Sequence, residues 1–240
     1  MSLSRRNVLV LAAAAGILAG GPKLLPYLQS LPDAVPIEAL PGYQRIDYAG
    51  VTGPSAFLGL DAPTENTDTT SLDIPLREAL FGPPSPGKIP VAVFTDVQCP
   101  YCRVLSELLF KRSKQSPAIS LTWHELPLLG PASQLAARAA LAAQKQNAYE
   151  AFHQRLMRSQ FRPSPAYLQQ LALDLGIDPE QLLADRDSTD VTLSLNRSAA
   201  LARLFSIPGT PAMVIDRTLV IGAIPAPLVN RLIRRAEPWA

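Results

Sequence analysis

The sequence predicts an α/β fold in which a central mixed sheet is flanked by helices and interrupted by an inserted helical subdomain. First, an apolar run at residues 91–94 leads into a Cys-Pro-Tyr-Cys motif, and a helical pattern follows it. Second, residues 132–205 carry mostly helical patterns. Third, residues 207–221 return to strand patterns after a Gly-Thr-Pro turn. Strand regions therefore enclose the helical block on both sides.

Composition limits the classes of function. The chain has 240 residues, of which 48% are hydrophobic and 18% charged, so a folded core is expected rather than disorder. The 22 basic and 20 acidic residues give a net charge of +2, which provides no reason to expect a nucleic-acid partner. The two cysteines are too few for a disulfide scaffold, and one Cys-x-x-Cys pair instead suggests redox chemistry.

The amino terminus resembles a twin-arginine (Tat) export signal. Arg5 and Arg6 precede an apolar stretch that continues to Ala19. As a helix, residues 8–21 would span about 21 Å, whereas a bilayer core is roughly 30 Å thick. No clean cleavage site follows, although residues 17–19 and 19–21 are imperfect candidates. Both a cleaved signal and an uncleaved anchor at residues 1–22 therefore stay open. We expect export to the periplasm, where a dithiol can cycle with a disulfide.

Residues 23–87 are a Pro-rich extension in which we see no chemistry. A weak alternation at residues 43–48 predicts a strand. Residues 73–81 predict a short helix with Asp73 as its N-cap and Pro75 in its first turn. The simplest interpretation is a tether that wraps the following domain, and a partner-binding role stays open.

The dithiol lies where a buried strand passes into a helix. Residues 91–97 have the apolar, β-rich composition of a strand buried on both faces. Pro100 fits the first helical turn, where its missing N–H is not needed. Cys99 is then at the helix N-terminus and Cys102 one turn later on the same side, within reach of disulfide geometry.

This placement predicts different roles for the two thiols. Unpaired N–H groups and the helix dipole stabilise a thiolate at Cys99, and cysteines so placed have pKa values of about 3.5–7.5. A pKa of ~4 would stabilise the reduced form at pH 7 by about 4 kcal/mol and raise the potential by roughly 90 mV. We expect Cys99 to be the nucleophile and leaving group, and Cys102 to resolve the mixed disulfide.

Other uses of the motif are weaker. Zinc needs about four ligands, and the spacing of His124 and His153 fits no zinc motif. A copper-delivery dithiol would want further Met or His ligands, and only Met213 is plausibly placed. A structural disulfide closing so short a loop removes little unfolded-state entropy. We expect no metal and no cofactor, and interpret both histidines as packing or surface residues.

The remaining segments fill in the pattern. Residues 118–126 predict a second strand, and a closing helix is expected at 225–236. Between the β-regions we predict helices at 132–146, 148–158, 165–175, 179–184 and 188–205. Thr210-Pro211 at the entry to the last β-region is unusual, because proline is tolerated only at strand starts or edges. A cis bond would resolve this conflict.

Together these features resemble the DsbA-like branch of the thioredoxin superfamily over residues 88–236. The matching segments are Phe94-Thr95-Asp96 with Cys99-Pro100-Tyr101-Cys102, then His124-Glu125-Leu126-Pro127, Leu129-Gly130-Pro131-Ala132-Ser133, Ala151-Phe152-His153 and Ile207-Pro208-Gly209-Thr210-Pro211-Ala212. The resemblance implies a thioredoxin fold over residues 88–240 with the helical insertion above the active site. It implies that Pro211 is cis, faces the dithiol and shares in catalysis. Thr210 would pair with the substrate chain in β fashion, and Pro100 and Tyr101 would contact it.

The resemblance also implies an activity. It indicates a thiol–disulfide oxidoreductase that forms disulfides in reduced or unfolded exported proteins and exchanges electrons with a membrane redox partner. Thr210 beside this motif is also typical of periplasmic isomerases and reductases. The absence of a recognisable dimerisation domain favours a monomeric oxidant. Val93 stands where many relatives carry a buried acid, which leaves Asp96 as a candidate proton acceptor for Cys102.

Overall fold

The computed structural model describes residues 33–48, 74–116, 118–236 and 238. The predicted signal segment at residues 1–22 lies outside these ranges, as does Asp73, the expected N-cap. Within the described residues there are six strands and eight helices. None of these helices has the length and apolar composition needed to cross a membrane.

Most predicted elements are confirmed with small shifts at their ends. The strands are β1 (Val35–Pro36), β2 (Gln44–Asp47), β3 (Ile89–Thr95), β4 (Ile119–Glu125), β5 (Ala212–Ile215) and β6 (Thr218–Ile221). The helices are α1 (Leu76–Phe81), α2 (Pro100–Gln115), α3 (Pro131–Gln144), α4 (Tyr149–Arg158), α5 (Pro165–Asp174), α6 (Pro179–Arg186), α7 (Thr189–Leu204) and α8 (Ala226–Arg235). The prediction for Pro75 was wrong by one position. It is the N-cap of α1 and lies before the first turn.

The six strands form one mixed sheet in the order β1-β2-β6-β5-β3-β4. β3 runs parallel to β4 and antiparallel to β5, and β5 runs antiparallel to β6. The predicted thioredoxin-type α/β fold is therefore confirmed. β2 pairs parallel with β6, with Gln44 opposite Thr218, so the Pro-rich extension supplies part of the sheet.

The two faces of β3 belong to different cores. Side chains alternate along a strand, and Val91 and Val93 pack with Leu105 and Leu109 of α2. The opposite face of β3, including Phe94, packs with residues of α1 and α7. The helix that begins at the dithiol is thereby held against the centre of the sheet.

The inserted helices form a third core that reaches the dithiol. Fully buried alanines of α3, among them Ala136, Ala140 and Ala143, pack with buried residues of α4, α5 and α6. Because alanine side chains are small, neighbouring helices can approach α3 closely. Cys99 and Cys102 belong to this same cluster. The inserted helices therefore pack against the dithiol.

Candidate active site

The two cysteines occupy the start of α2. Cys99 is the N-cap residue in extended conformation, and its sulfur accepts a hydrogen bond from the Cys102 backbone N–H at 3.3 Å. Pro100 occupies the first helical position. Both thiols are free and nearly buried, with 4% of Cys99 and 1% of Cys102 exposed. The strand-to-helix placement predicted from the sequence is confirmed.

The loop before β5 faces the dithiol. The Thr210–Pro211 peptide bond is cis, as the resemblance implies. The Cys99 thiol donates to the Thr210 carbonyl oxygen, with a sulfur-to-oxygen distance of 3.4 Å. The Pro211 carbonyl oxygen accepts from the Gly222 N–H at 2.9 Å, which holds the loop against the start of the segment after β6. Residues 111 positions apart in sequence thus meet at the reactive sulfur.

Three exposed apolar side chains, which we call the apolar rim, lie near the start of α2. They are Tyr101, Val104 and Phe161, with exposed fractions of 37%, 69% and 72%. The Arg103 guanidinium donates to Val97 O at 3.2 Å and also to Ser159 O. This bridge brings the turn at residues 159–161 beside the first turns of α2. The resemblance implies a contact role for Tyr101, and no pattern in the sequence singles out Arg103 or Phe161.

The thiols differ in acidity in the direction that the sequence predicts. The pKa of Cys99 is lowered to about 7, chiefly by the hydrogen bond from the Cys102 thiol, and burial opposes this. Burial is the main cause that raises the pKa of Cys102 well above its usual value. Cys99 is therefore the group that ionises first, which suits a nucleophile.

The pKa of Cys99 is lowered to about 7, which is less than the lowering to ~4 supposed from the sequence. With a pKa of about 7, half of the Cys99 thiol is ionised at pH 7. Ionisation then stabilises the reduced form by less than about 1 kcal/mol instead of about 4 kcal/mol. The corresponding rise in potential is on the order of 10 mV rather than ~90 mV. Stabilisation of the Cys99 thiolate alone therefore raises the reduction potential of the disulfide only slightly.

Asp96, the first residue after β3, is buried and accepts four hydrogen bonds. Its Oδ1 accepts from Gln98 N at 2.8 Å and Ser133 Oγ at 2.7 Å, and its Oδ2 accepts from Leu128 N at 2.7 Å and Leu129 N at 3.0 Å. Burial raises the pKa of the carboxyl, and the four hydrogen bonds oppose this. A carboxylate that already accepts four hydrogen bonds is better suited to hold two loops together than to accept a proton from Cys102.

Both histidines are buried. His124 stacks on Phe94 at a ring distance of 4.7 Å, and its Nε2 lies 2.8 Å from Leu80 O. Burial lowers its pKa to about 4, so it is neutral at pH 7. His153 lies on the other side of the sheet, where its Nδ1 is 2.7 Å from Glu125 Oε1. Sequence reasoning missed the Glu125–His153 pair. The one signal in the sequence is a glutamate at the end of the predicted strand.

The metal alternatives can be compared with this geometry. In the described part of the chain, no three His, Cys, Asp or Glu side chains come close enough to hold a metal ion. Met213 is fully buried in β5, with its Cα opposite that of Val93. Neither histidine hydrogen-bonds to either thiol, since the rings contact Leu80, Ser198, Tyr149 and Glu125 instead.

Comparison with solved structures gives the same fold. A thioredoxin-like oxidoreductase from Silicibacter pomeroyi DSS-3 is 34% identical, with a TM-score of 0.62 over 66% of this chain and 96% of that chain. A periplasmic thioredoxin-like protein from Salmonella enterica serovar Typhimurium is 27% identical, with a TM-score of 0.60 over 66% of this chain and 94% of that chain.

Among curated proteins, the Na(+)/H(+) antiporter NhaA 3 of Salinispora tropica is 31% identical over 147 residues, which are 59% of this chain and 22% of that protein. The chain thus spans about a fifth of the length of that relative. A family model described as the DSBA-like thioredoxin domain matches residues 90–234, more than half of the 240 residues. The chain therefore belongs to the DSBA-like thioredoxin domain family.

Proposed function

We propose that this thiol–disulfide oxidoreductase forms disulfide bonds in exported client proteins through Cys99 and Cys102. The observation that carries the proposal is the position of the Cys99 sulfur, which caps α2 and lies 3.4 Å from Thr210 O. The helix terminus stabilises the thiolate that must leave, and the loop supplies backbone groups next to the reacting sulfur. Family membership supports the reaction class, and the oxidising direction is our inference.

The proposed reaction begins with the oxidised Cys99–Cys102 disulfide. A client thiolate attacks the Cys99 sulfur, the bond between the two cysteines breaks, and Cys102 leaves with the electron pair and takes up a proton. The second client thiolate then attacks the client sulfur of the mixed disulfide and releases the Cys99 thiolate. The client loses two electrons and gains a disulfide, and the protein is left as the dithiol.

Client binding is assigned to the surface around Cys99. A client segment that extends along the loop at Thr210 can pair with its backbone, which gives contact without sequence specificity. Pro100 and Tyr101 border the sulfur. The apolar rim provides apolar contact for residues next to a client cysteine, and unfolded chains expose more of such residues than folded ones. This arrangement supports unfolded, reduced proteins as the substrate class.

We also propose a periplasmic location and a membrane redox partner that re-oxidises the dithiol. The twin-arginine pattern at Arg5 and Arg6 supports export, and the Salmonella neighbour is described as periplasmic.

An isomerase or reductase is the second candidate. The observation that favours it is the pKa of about 7 at Cys99, since a weakly stabilised thiolate gives a mild potential. The redox state of the dithiol in the cell distinguishes the two functions. Rapid acid trapping and thiol alkylation should find Cys99 and Cys102 mostly oxidised if the protein forms disulfides. A mostly reduced pair would support the second candidate.

Trapping of mixed disulfides tests the shared chemistry. Cys102→Ala keeps the nucleophile and removes the resolving thiol, so it should accumulate covalent adducts with a scrambled or disulfide-bonded unfolded protein. Cys99→Ala is the matched control, because it keeps one thiol that is buried and has a raised pKa. Equal adduct yields from the two variants would overturn the proposed roles.

A further inference from the structure

A buried polar cluster lies beside the sheet on the face that α2 covers. Glu125 Oε1 accepts a hydrogen bond from the Tyr149 hydroxyl at 2.7 Å and lies 2.7 Å from His153 Nδ1. Glu125 is 1% exposed and His153 is fully buried. Glu125 Oε2 and His153 Nε2 are buried and have no hydrogen-bond partner within the described residues. Buried polar atoms of this kind are costly and call for an explanation.

The sheet register places Glu125 close to the end of β3. Its Cα is paired with that of Thr95, and Trp123 is paired with Val93. Val93 faces α2, so by alternation Thr95 faces α2 as well. Trp123 stacks on Phe110 of α2 at a ring distance of 4.7 Å, which puts Glu125, two residues later, on the same face.

Along α2, the cysteine and this cluster are joined by one row of side chains. Cys102, Ser106 and Phe110 are spaced by four residues and therefore follow one side of the helix. The Phe110 ring lies 5.9 Å from the His153 ring, so the row ends at the cluster. Ser106 Oγ and Thr95 Oγ1 are buried and, within the described residues, have no hydrogen-bond partner, so neither bonds directly to Glu125 or to Cys102. Buried polar groups of this kind are commonly bridged by ordered water.

Cys102 needs a proton donor and acceptor during exchange. The acid that many thioredoxin-type enzymes carry is replaced by Val93, and the Asp96 carboxylate already accepts four hydrogen bonds. Glu125 is the buried carboxylate on the α2 face that has an oxygen without a partner within the described residues. It is therefore better placed than Asp96 to exchange a proton.

We propose that Glu125, held by Tyr149 and His153, gives and takes the proton of Cys102 through buried water that the hydroxyls of Thr95 and Ser106 hold. When a client thiolate attacks Cys99, Cys102 leaves with the electron pair of the broken disulfide and receives the proton from Glu125. In the reverse step, Glu125 takes the proton, Cys102 forms the disulfide with Cys99, and the client leaves as a thiolate. This inference rests on the proposed function, because it concerns the same exchange.

The test separates attack by Cys99 from resolution by Cys102 in the reduced protein. The probe is a single-cysteine peptide joined by a disulfide to thionitrobenzoate. Absorbance reports attack as thionitrobenzoate is released, and acid quenching with mass spectrometry reports the decay of the Cys99–peptide adduct. At pH 7, Glu125→Gln should slow resolution by about 100-fold, which lies within the usual range for general acid–base catalysis, and should leave attack within about twofold.

Matched variants make the outcome decisive. Glu125→Asp keeps a carboxylate and should recover part of the resolution rate. Glu150→Gln removes a nearby exposed carboxylate and should change neither step. Wild-type resolution in Glu125→Gln, or equal slowing of both steps, would overturn the inference.

The hydroxyl route is tested independently and covers the case in which Glu125→Gln fails to fold. The double variant Thr95→Val with Ser106→Ala removes both hydroxyls with little change of shape. It should slow resolution by at least about tenfold, and an unchanged rate would overturn the route. A wild-type protein that does not attack the probe at all would instead count against the proposed function.

Discussion

Ser133 Oγ donates a 2.7 Å hydrogen bond to Asp96 Oδ1, which joins the residue after β3 to the first turn of α3. The other oxygen of the same carboxylate accepts the backbone N–H groups of Leu128 and Leu129. The turn that carries Cys99 is thereby tied to the loop that leads into the helical insertion. One buried carboxylate, that of Asp96, therefore fixes the position of the helical insertion relative to the turn that carries Cys99.

Asp96→Asn tests how much this set of hydrogen bonds contributes to stability. An amide can accept at one oxygen only, and its NH2 group would face a backbone N–H or the Ser133 hydroxyl. We expect the free energy of unfolding of the reduced protein to fall by about 3 kcal/mol, measured by urea denaturation. Ser133→Ala removes one of the four donors and should cost about 1 kcal/mol. Equal losses in the two variants would show that the backbone hydrogen bonds contribute little.

His124 should make the protein sensitive to mild acid. Its pKa is about 4 in the fold against 6.5 in the unfolded chain, because burial disfavours the charged ring. The unfolded chain therefore takes up a proton first, and stability is lost as the pH falls from about 6.5 towards 4. Between pH 7 and pH 5 this single group should remove about 2 kcal/mol, measured by urea denaturation at both pH values.

His124→Gln supplies the control for that measurement. The side-chain amide can still donate to Leu80 O and does not titrate. The raised pKa of the Asp96 carboxyl acts with the opposite sign, but it is common to both proteins and cancels in the difference. If the variant loses as much stability as the wild type between pH 7 and pH 5, another group carries the acid sensitivity.

The reduction potential should change its pH dependence near pH 7. Below the pKa of Cys99, reduction takes up two protons, and above it takes up one, because the pKa of Cys102 is raised and this thiol stays protonated. The slope should therefore change from about 59 to about 30 mV per pH unit, measured against glutathione. A break below pH 5 would instead indicate a strongly stabilised thiolate and a stronger oxidant.

Local patterns were sufficient to predict the dithiol and the elements next to it. The apolar strand before Cys99, the helix after it and the return at Pro211 each follow from periodicity or from a special residue nearby. The pairing of Gln44 with Thr218 depends on chain segments 174 positions apart, and no local pattern encodes it. The same holds for Glu125, because its partners come from α4 and a single residue in a strand does not reveal them.

The apolar rim should affect client turnover and not the chemistry of Cys99. Val104 is 69% exposed and Phe161 is 72% exposed, so replacing either by aspartate removes no core contact. Each substitution places a charge where an apolar client side chain would lie. If that contact is worth about 1.4 kcal/mol, part of the value of a fully buried side chain, the KM for a reduced unfolded protein rises about tenfold.

The control and the readout separate this effect from general damage. Leu193→Asp changes a side chain that is 52% exposed on α7, and it should leave the KM unchanged. The rate with a small disulfide reagent, which needs no client surface, should stay within about twofold in all three variants, because the pKa of Cys99 is set by Cys102 and by backbone groups. If Val104→Asp and Phe161→Asp match Leu193→Asp in both assays, clients bind elsewhere. A KM that rises only for the rim variants would place the client segment across the first turns of α2.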